Sequence, residues 1–152
     1  MIQRIQSLFL SLALIVTGSL FYLNMADLIT ASHSLILKYK GLIDLADMSE
    51  QVASSLPLTI LLWVATVLLV LTIFLYKNRR LQLRICGLNL GFHAGLSILI
   101  FYYGKFFAKQ LGAELSFNWP LVLPLVSIVL MLLAMRGILR DELLVKSLDR
   151  IR

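Results

Sequence analysis

Four stretches of this chain, 5–23, 57–76, 85–103 and 119–135, contain no Asp, Glu, Lys or Arg. A helix needs about 20 apolar residues to cross the hydrocarbon layer of a bilayer. In lipid, where no water can satisfy backbone amides, an uncharged run of that length spans as a helix or scarcely at all. The runs therefore predict an all-α membrane protein, a four-transmembrane-helix bundle with helices at about 5–23, 57–76, 85–103 and 119–136. Composition agrees: 60% of residues are apolar and the mean hydropathy is +0.92. A soluble domain is about 45–50% apolar and could not cover so much apolar surface with polar groups. Arg4 ahead of an apolar stretch resembles a signal peptide, but the stretch is long for one and no small-x-small cleavage site follows. It reads as an uncleaved helix.

The charge pattern gives orientation. Arg4, Lys77, Arg79, Arg80, Arg84, Arg136, Arg140, Lys146, Arg150 and Arg152 fall on one side of a four-span layout, while Lys38, Lys40, Lys105 and Lys109 fall on the other. Cytoplasmic flanks concentrate Lys and Arg, so both termini and the turn between the second and third helices are expected in the cytoplasm. Tyr22, Tyr102, Tyr103 and Trp119 mark the outer interface and Tyr76 the inner one, as amphipathic rings prefer. The net charge of +6 is explained by these flanks, and nucleic acid is not expected as a partner.

The outer segment 24–56 is too apolar for a plain linker. Leu35–Tyr39 and Leu42–Leu45 flank Lys40-Gly41, which fits a short β-hairpin or an amphipathic segment lying on the outer leaflet. The second outer segment, 104–118, is short.

The third helix carries the most information. Gly87, Gly91 and Gly95 recur every four residues and form one face suited to close helix approach. Asn89, His93 and Ser97 recur with the same spacing but offset by two residues, which puts them on nearly the opposite face. Such a helix should touch protein on both sides, either at the centre of the bundle or at another chain. An ionisable residue inside a span is a functional candidate. His93 reads as a proton relay or ligand contact, or as a neutral histidine bonded to a neighbouring helix; the second needs fewer assumptions. The one other histidine, His33, lies in the outer segment, so two histidines cannot hold haem within the membrane. No carboxylate lies in a span, and no metal or cofactor site is expected. Cys86, the lone cysteine, excludes an internal disulfide and a CxxC pair and reads as a small apolar residue. Ser7, Ser11, Ala13, Thr17 and Gly18, with Thr59, Thr66 and Thr72, read as helix contacts. Pro120 starts the fourth helix, and Pro124 is placed to kink its outer end.

The tail 137–152 pairs Glu142 with Lys146 four residues apart and aligns Leu144, Leu148 and Ile151. It predicts an amphipathic cytoplasmic helix on the inner surface, with Arg140, Lys146, Arg150 and Arg152 at anionic headgroups, or a docking helix for a cytoplasmic partner.

In its opening Met1-Ile2-Gln3-Arg4-Ile5-Gln6 and its closing Arg140-Asp141-Glu142-Leu143-Leu144-Val145-Lys146-Ser147-Leu148-Asp149-Arg150-Ile151-Arg152, the chain resembles a family of small four-span membrane proteins of Gram-negative bacteria that is known as a domain of unknown function. The resemblance implies an inner-membrane location and four helices, and it brings no catalytic residues. The expected role is a non-catalytic subunit or scaffold of an inner-membrane assembly, with lipid and another membrane protein or a second copy as partners. The alternative is a small transporter or channel using the Asn89, His93, Ser97 face. Nothing points to an enzyme.

Overall fold

The computed structural model describes residues 2–30, 33–46 and 51–149, with side chains described except at 2–4, 51, 77 and 144–149. Helix α1 (Ile2–Ser19) leads into strands β1 (Ala26–Ile29), β2 (Ser34–Lys38), β3 (Gly41–Asp44) and β4 (Gln51–Ser54). Helix α2 (Leu56–Phe74) ends in a 3-10 turn, Leu75–Lys77, and α3 (Arg79–Leu111) follows at once. Strand β5 (Glu114–Phe117), a second 3-10 turn (Trp119–Val122) and α4 (Leu123–Asp149) complete the described chain. Three helical segments, Leu56–Phe74, Arg79–Leu111 and Trp119–Leu143, are long and apolar enough to cross a membrane. The uncharged part of α1, Ile5–Ser19, is a shorter apolar helix.

The helices are apolar outside as well as inside. Ile15, Ile60, Phe74 and Ile98 are each more than 60% exposed, whereas Thr17, Asn89, His93 and Ser127 are fully buried. That inversion suits a bundle whose surroundings are hydrocarbon. Two apolar clusters fill its interior. Leu20, Met25, Leu58, Leu62, Leu96 and Ile100 pack at the sheet end, and Leu10, Ala13, Leu69, Cys86, Met131 and Ala134 at the end holding the α2–α3 turn.

Four sequence expectations are corrected. First, the protein is not all-α: a five-stranded antiparallel sheet of order β4-β3-β2-β1-β5 caps one end. The expected hairpin is its β2–β3 pair, turning at Tyr39-Lys40, with Leu37 opposite Leu42. The far segment contributes β5, which pairs with β1 from Ala26 opposite Phe117 to Ile29 opposite Glu114. The inward faces of Leu28, Leu35, Leu37 and Leu42 pack on Phe107 of α3, and burying that apolar surface is what the segment's excess of leucine achieves. Second, α1 stops at Ser19, and the chain continues to Leu23 through turn bonds such as Leu20 N–H to Thr17 O and Leu23 N–H to Ser19 O. Third, α3 extends well past 85–103 at both ends, because Arg, Lys and Gln are good helix formers outside the apolar layer. It stops where Gly112 takes the left-handed conformation, φ 60°, a standard C-terminal stop. Fourth, the tail is no separate surface helix. Helix α4 runs unbroken through Gly137, where a Cβ would lie 2.8 Å from Gln6 Cγ; the glycine lets α1 and α4 close together. Pro124 sits in the first turn of α4, where the missing N–H costs nothing, so it begins the helix and does not kink it.

Hydrogen bonds fasten the sheet to the bundle. Thr59 Oγ1 donates to Tyr39 O at 2.7 Å, Ser55 N–H to Lys40 O at 3.0 Å and Asn118 N–H to Met25 O at 3.1 Å. Phe101 stacks on Phe117 with centroids 5.3 Å apart, and a Cβ on Gly104 would meet the Phe117 ring at 2.7 Å. Replacing Gly104 by Ala should therefore push β5 away from α3 and cost about 1–3 kcal/mol, as overpacking does. Thermal unfolding of the variant, with faster cleavage by protease after β5, checks this; an unchanged midpoint would refute it.

Candidate functional site

Between the two apolar clusters lies one polar layer, to which all four helices contribute. Helix α3 supplies Asn89 and His93 one turn apart, which places both on its buried face. Helix α1 supplies Thr17 and α4 supplies Ser127. Helix α2 gives a backbone carbonyl at Ala65, which accepts from Asn89 Nδ2 at 3.2 Å. His93 Nε2 lies 2.9 Å from Thr17 Oγ1, and Thr17 Oγ1 lies 3.1 Å from Ser127 Oγ. His93 Nδ1 lies 3.0 Å from the Asn89 carbonyl on the preceding turn.

Counting protons fixes the histidine side of this network. A carbonyl oxygen can only accept, so a proton on His93 Nδ1 makes the Asn89 contact a bond. Nε2 is then an acceptor, and the Thr17 hydroxyl is the donor within its reach. The opposite tautomer would set the Nδ1 lone pair against the Asn89 oxygen. Thr17 has a single hydroxyl proton, and its own Ala13 carbonyl, 2.8 Å away, is a second acceptor for it, so that carbonyl and His93 Nε2 compete for one donor. The remaining orphan is Asn89 Oδ1, buried without a hydrogen-bond partner.

Of the polar face expected on α3, Asn89 and His93 point into this layer. Ser97 does not join it: its hydroxyl donates back to the His93 carbonyl at 3.2 Å from a half-buried position. Thr17 entered the sequence reading as a helix contact, without a polar partner. Ser127 went unnoticed, since one serine in an apolar run gives no periodic signal.

The glycine face is divided. A Cβ on Gly95 would meet Leu61 at 3.4 Å, so α2 packs there. One on Gly87 would just touch Met135 at 4.0 Å, and one on Gly91 would meet nothing within 4 Å. Gly91 is exposed, beside Leu88 and Ile98, also exposed.

At the opposite end from the sheet, three helices converge. Gln6 Nε2 donates to Asp141 Oδ2 at 2.9 Å, Arg79 Nη1 to the Asp141 carbonyl at 3.0 Å, and Arg80 Nε to Glu142 Oε1 at 3.3 Å. The first of these is buried; the Arg80–Glu142 pair is exposed and contributes little. Arg140 is exposed beside them. The side chains of Leu144, Lys146 and Leu148, and residues Arg150, Ile151 and Arg152 altogether, lie outside those described. Among the described residues, no three His, Cys, Asp or Glu side chains converge as a metal site would require.

A bundle with three membrane-length apolar helices, a closed polar layer at mid-height and a sheet over one end defines a small helical protein of membrane type. The chain belongs to the DUF4293 family, a domain of unknown function, whose model matches residues 2–151. A comparison with curated proteins finds no match.

Proposed function

We propose that this chain is a four-span bacterial inner-membrane protein, with both ends in the cytoplasm, that acts as a non-catalytic subunit or scaffold of a membrane assembly. The observation that carries the reading is the buried polar layer. His93, the one ionisable side chain at its centre, is 0% exposed and faces Thr17, while Thr17 bonds Ser127. Polar groups used this way hold helices together. A transporter instead needs polar groups lining a wetted path, and a dry His93 argues against that alternative.

Support for a fourth span comes from how α1 is tied at both ends. Gln6 bonds Asp141 at one end, and Thr17 meets Ser127 further along, so α1 runs beside α4 through the same layer. The sheet joins strands from the α1–α2 and α3–α4 connections, which supports reading the arginine-rich ends as sharing the other side.

The open face around Gly91 is where another membrane helix, from a different protein or a second copy, would fit closely. Replacing Gly91 by Leu should leave the thermal midpoint in mild detergent unchanged or slightly raised, since nothing lies near its Cβ and leucine favours a helix over glycine by about 0.8 kcal/mol. The same substitution should abolish crosslinking to the partner. Wild-type protein that purifies only as a monomer, with no crosslinked species in its native membrane, would overturn the scaffold reading.

A further inference from the structure

Helices α1 and α4 do not close completely at the arginine-rich end. A groove of about 430 Å³ opens between them, with Ile5, Phe9 and Leu133 as apolar walls and Arg136 and Arg140 at its edge. We propose that this groove binds the phosphate of an anionic phospholipid, with an acyl chain against the apolar walls. The inference rests on the reading of α1 and α4 as membrane spans.

The chemistry is ordered along the groove. Helix α1 runs away from this end and α4 runs towards it, so Phe9 and Leu133 lie deeper in the apolar layer, while Arg136 and Arg140 lie at its edge. The two arginines are one turn apart and share a face. Both are exposed, and among the described residues neither forms an ion pair. The nearest carboxylate in sequence, Asp141, is not part of the lining, and its Oδ2 accepts from Gln6. Two guanidinium groups with no ion pair among the described residues favour a phosphate, which they can grip through several N–H donors at once. An apolar floor directly below favours a lipid over a free anion. Basic pockets between helices at the cytoplasmic face hold acidic headgroups in this manner. Gly137 keeps the groove narrow, because its missing side chain is what admits Gln6.

The test uses the full chain in dodecyl maltoside, with thermal unfolding followed as palmitoyl-oleoyl phosphatidylglycerol is added. Saturable stabilisation of the wild type is expected, with no effect from palmitoyl-oleoyl phosphatidylcholine or inorganic phosphate. The R136Q/R140Q double variant should need about tenfold more phosphatidylglycerol for the same shift, as the loss of charge-assisted bonds implies. Arg80 is outside the groove at the same end, so R80Q should respond as wild type does. Equal stabilisation by inorganic phosphate would overturn the lipid assignment, and equal loss in R80Q would reduce the effect to general surface charge. An unchanged response in the double variant would also overturn the site. Release of the chain from membranes by alkaline carbonate would defeat the span reading itself, whereas a retained chain with an unchanged response would defeat only the groove.

Discussion

Replacing Gly41 by Ala should unfold the five-stranded sheet while leaving the helices formed. Gly41 has φ 141°, a conformation that L-residues rarely adopt, and its missing Cβ is what allows the Ala53 carbonyl of β4 to lie against it. Strain of this kind costs about 1–3 kcal/mol, and steric crowding against a backbone group adds about 1–3 kcal/mol. The two act on the same residue, so a loss of about 2–6 kcal/mol is expected, concentrated where β3 meets β4. Gly112 is a useful contrast. It also has positive φ, at 60°, but nothing lies within 4 Å of its would-be Cβ, so Gly112→Ala should cost only the left-handed penalty of about 1–2 kcal/mol. Protease sensitivity of the 24–56 segment, read with far-ultraviolet circular dichroism, separates the cases. If Gly41→Ala proved no more sensitive than Gly112→Ala, the close approach of β4 would be disproved.

The second large effect is expected at Thr17. Thr17→Val keeps nearly the same volume but removes the hydroxyl between His93 Nε2 and Ser127 Oγ. Both partners are fully buried, and each buried polar group left without a partner costs about 1–3 kcal/mol. The expected loss is about 2–5 kcal/mol, above the 0.6 kcal/mol or so measured on average for one interhelical bond in a membrane protein. Thr66 provides the control, since its hydroxyl donates only to Leu62 O of its own helix, at 2.8 Å. Thr66→Val should cost far less. In a His93→Leu background, Thr17→Val should lose most of its effect, because one of the two orphaned groups is gone and the layer is already broken. Denaturant unfolding in mixed micelles gives all four values. Equal costs for Thr17→Val and Thr66→Val would show that the layer does not hold the helices.

How far these features could be read from the sequence depends on the range of the interaction. The β2–β3 hairpin was legible because the apolar stretches Leu35–Tyr39 and Leu42–Leu45 flank Lys40-Gly41, which is local information. The pairing of β1 with β5 was not, because Ala26 and Phe117 belong to connections on opposite sides of two long helices, and neither strand's pattern names its partner. The inward direction of Asn89 and His93 followed from helix periodicity. Their cross-helix partners did not, since Thr17 and Ser127 meet His93 only through packing. The α3 glycines show the limit of spacing as evidence: Gly95 packs on Leu61, while Gly91, on the same face, faces open space. The boundaries of α3 were misjudged because charge density reports where the apolar layer ends and not where the helix ends. The chain stays helical through Arg79, Arg84, Lys105 and Lys109, and the stop signal was Gly112.

Helix α3 has 33 residues without a break, a rod of about 50 Å at 1.5 Å per residue. One end carries Phe107 under the sheet, and the other carries Arg79 against the Asp141 carbonyl. A rod of that kind has no joint at which one end could yield without the other. The strands and the α4 end therefore sit at the two terminals of one continuous helix, and a load on the first has an unbroken covalent and hydrogen-bonded route to the second.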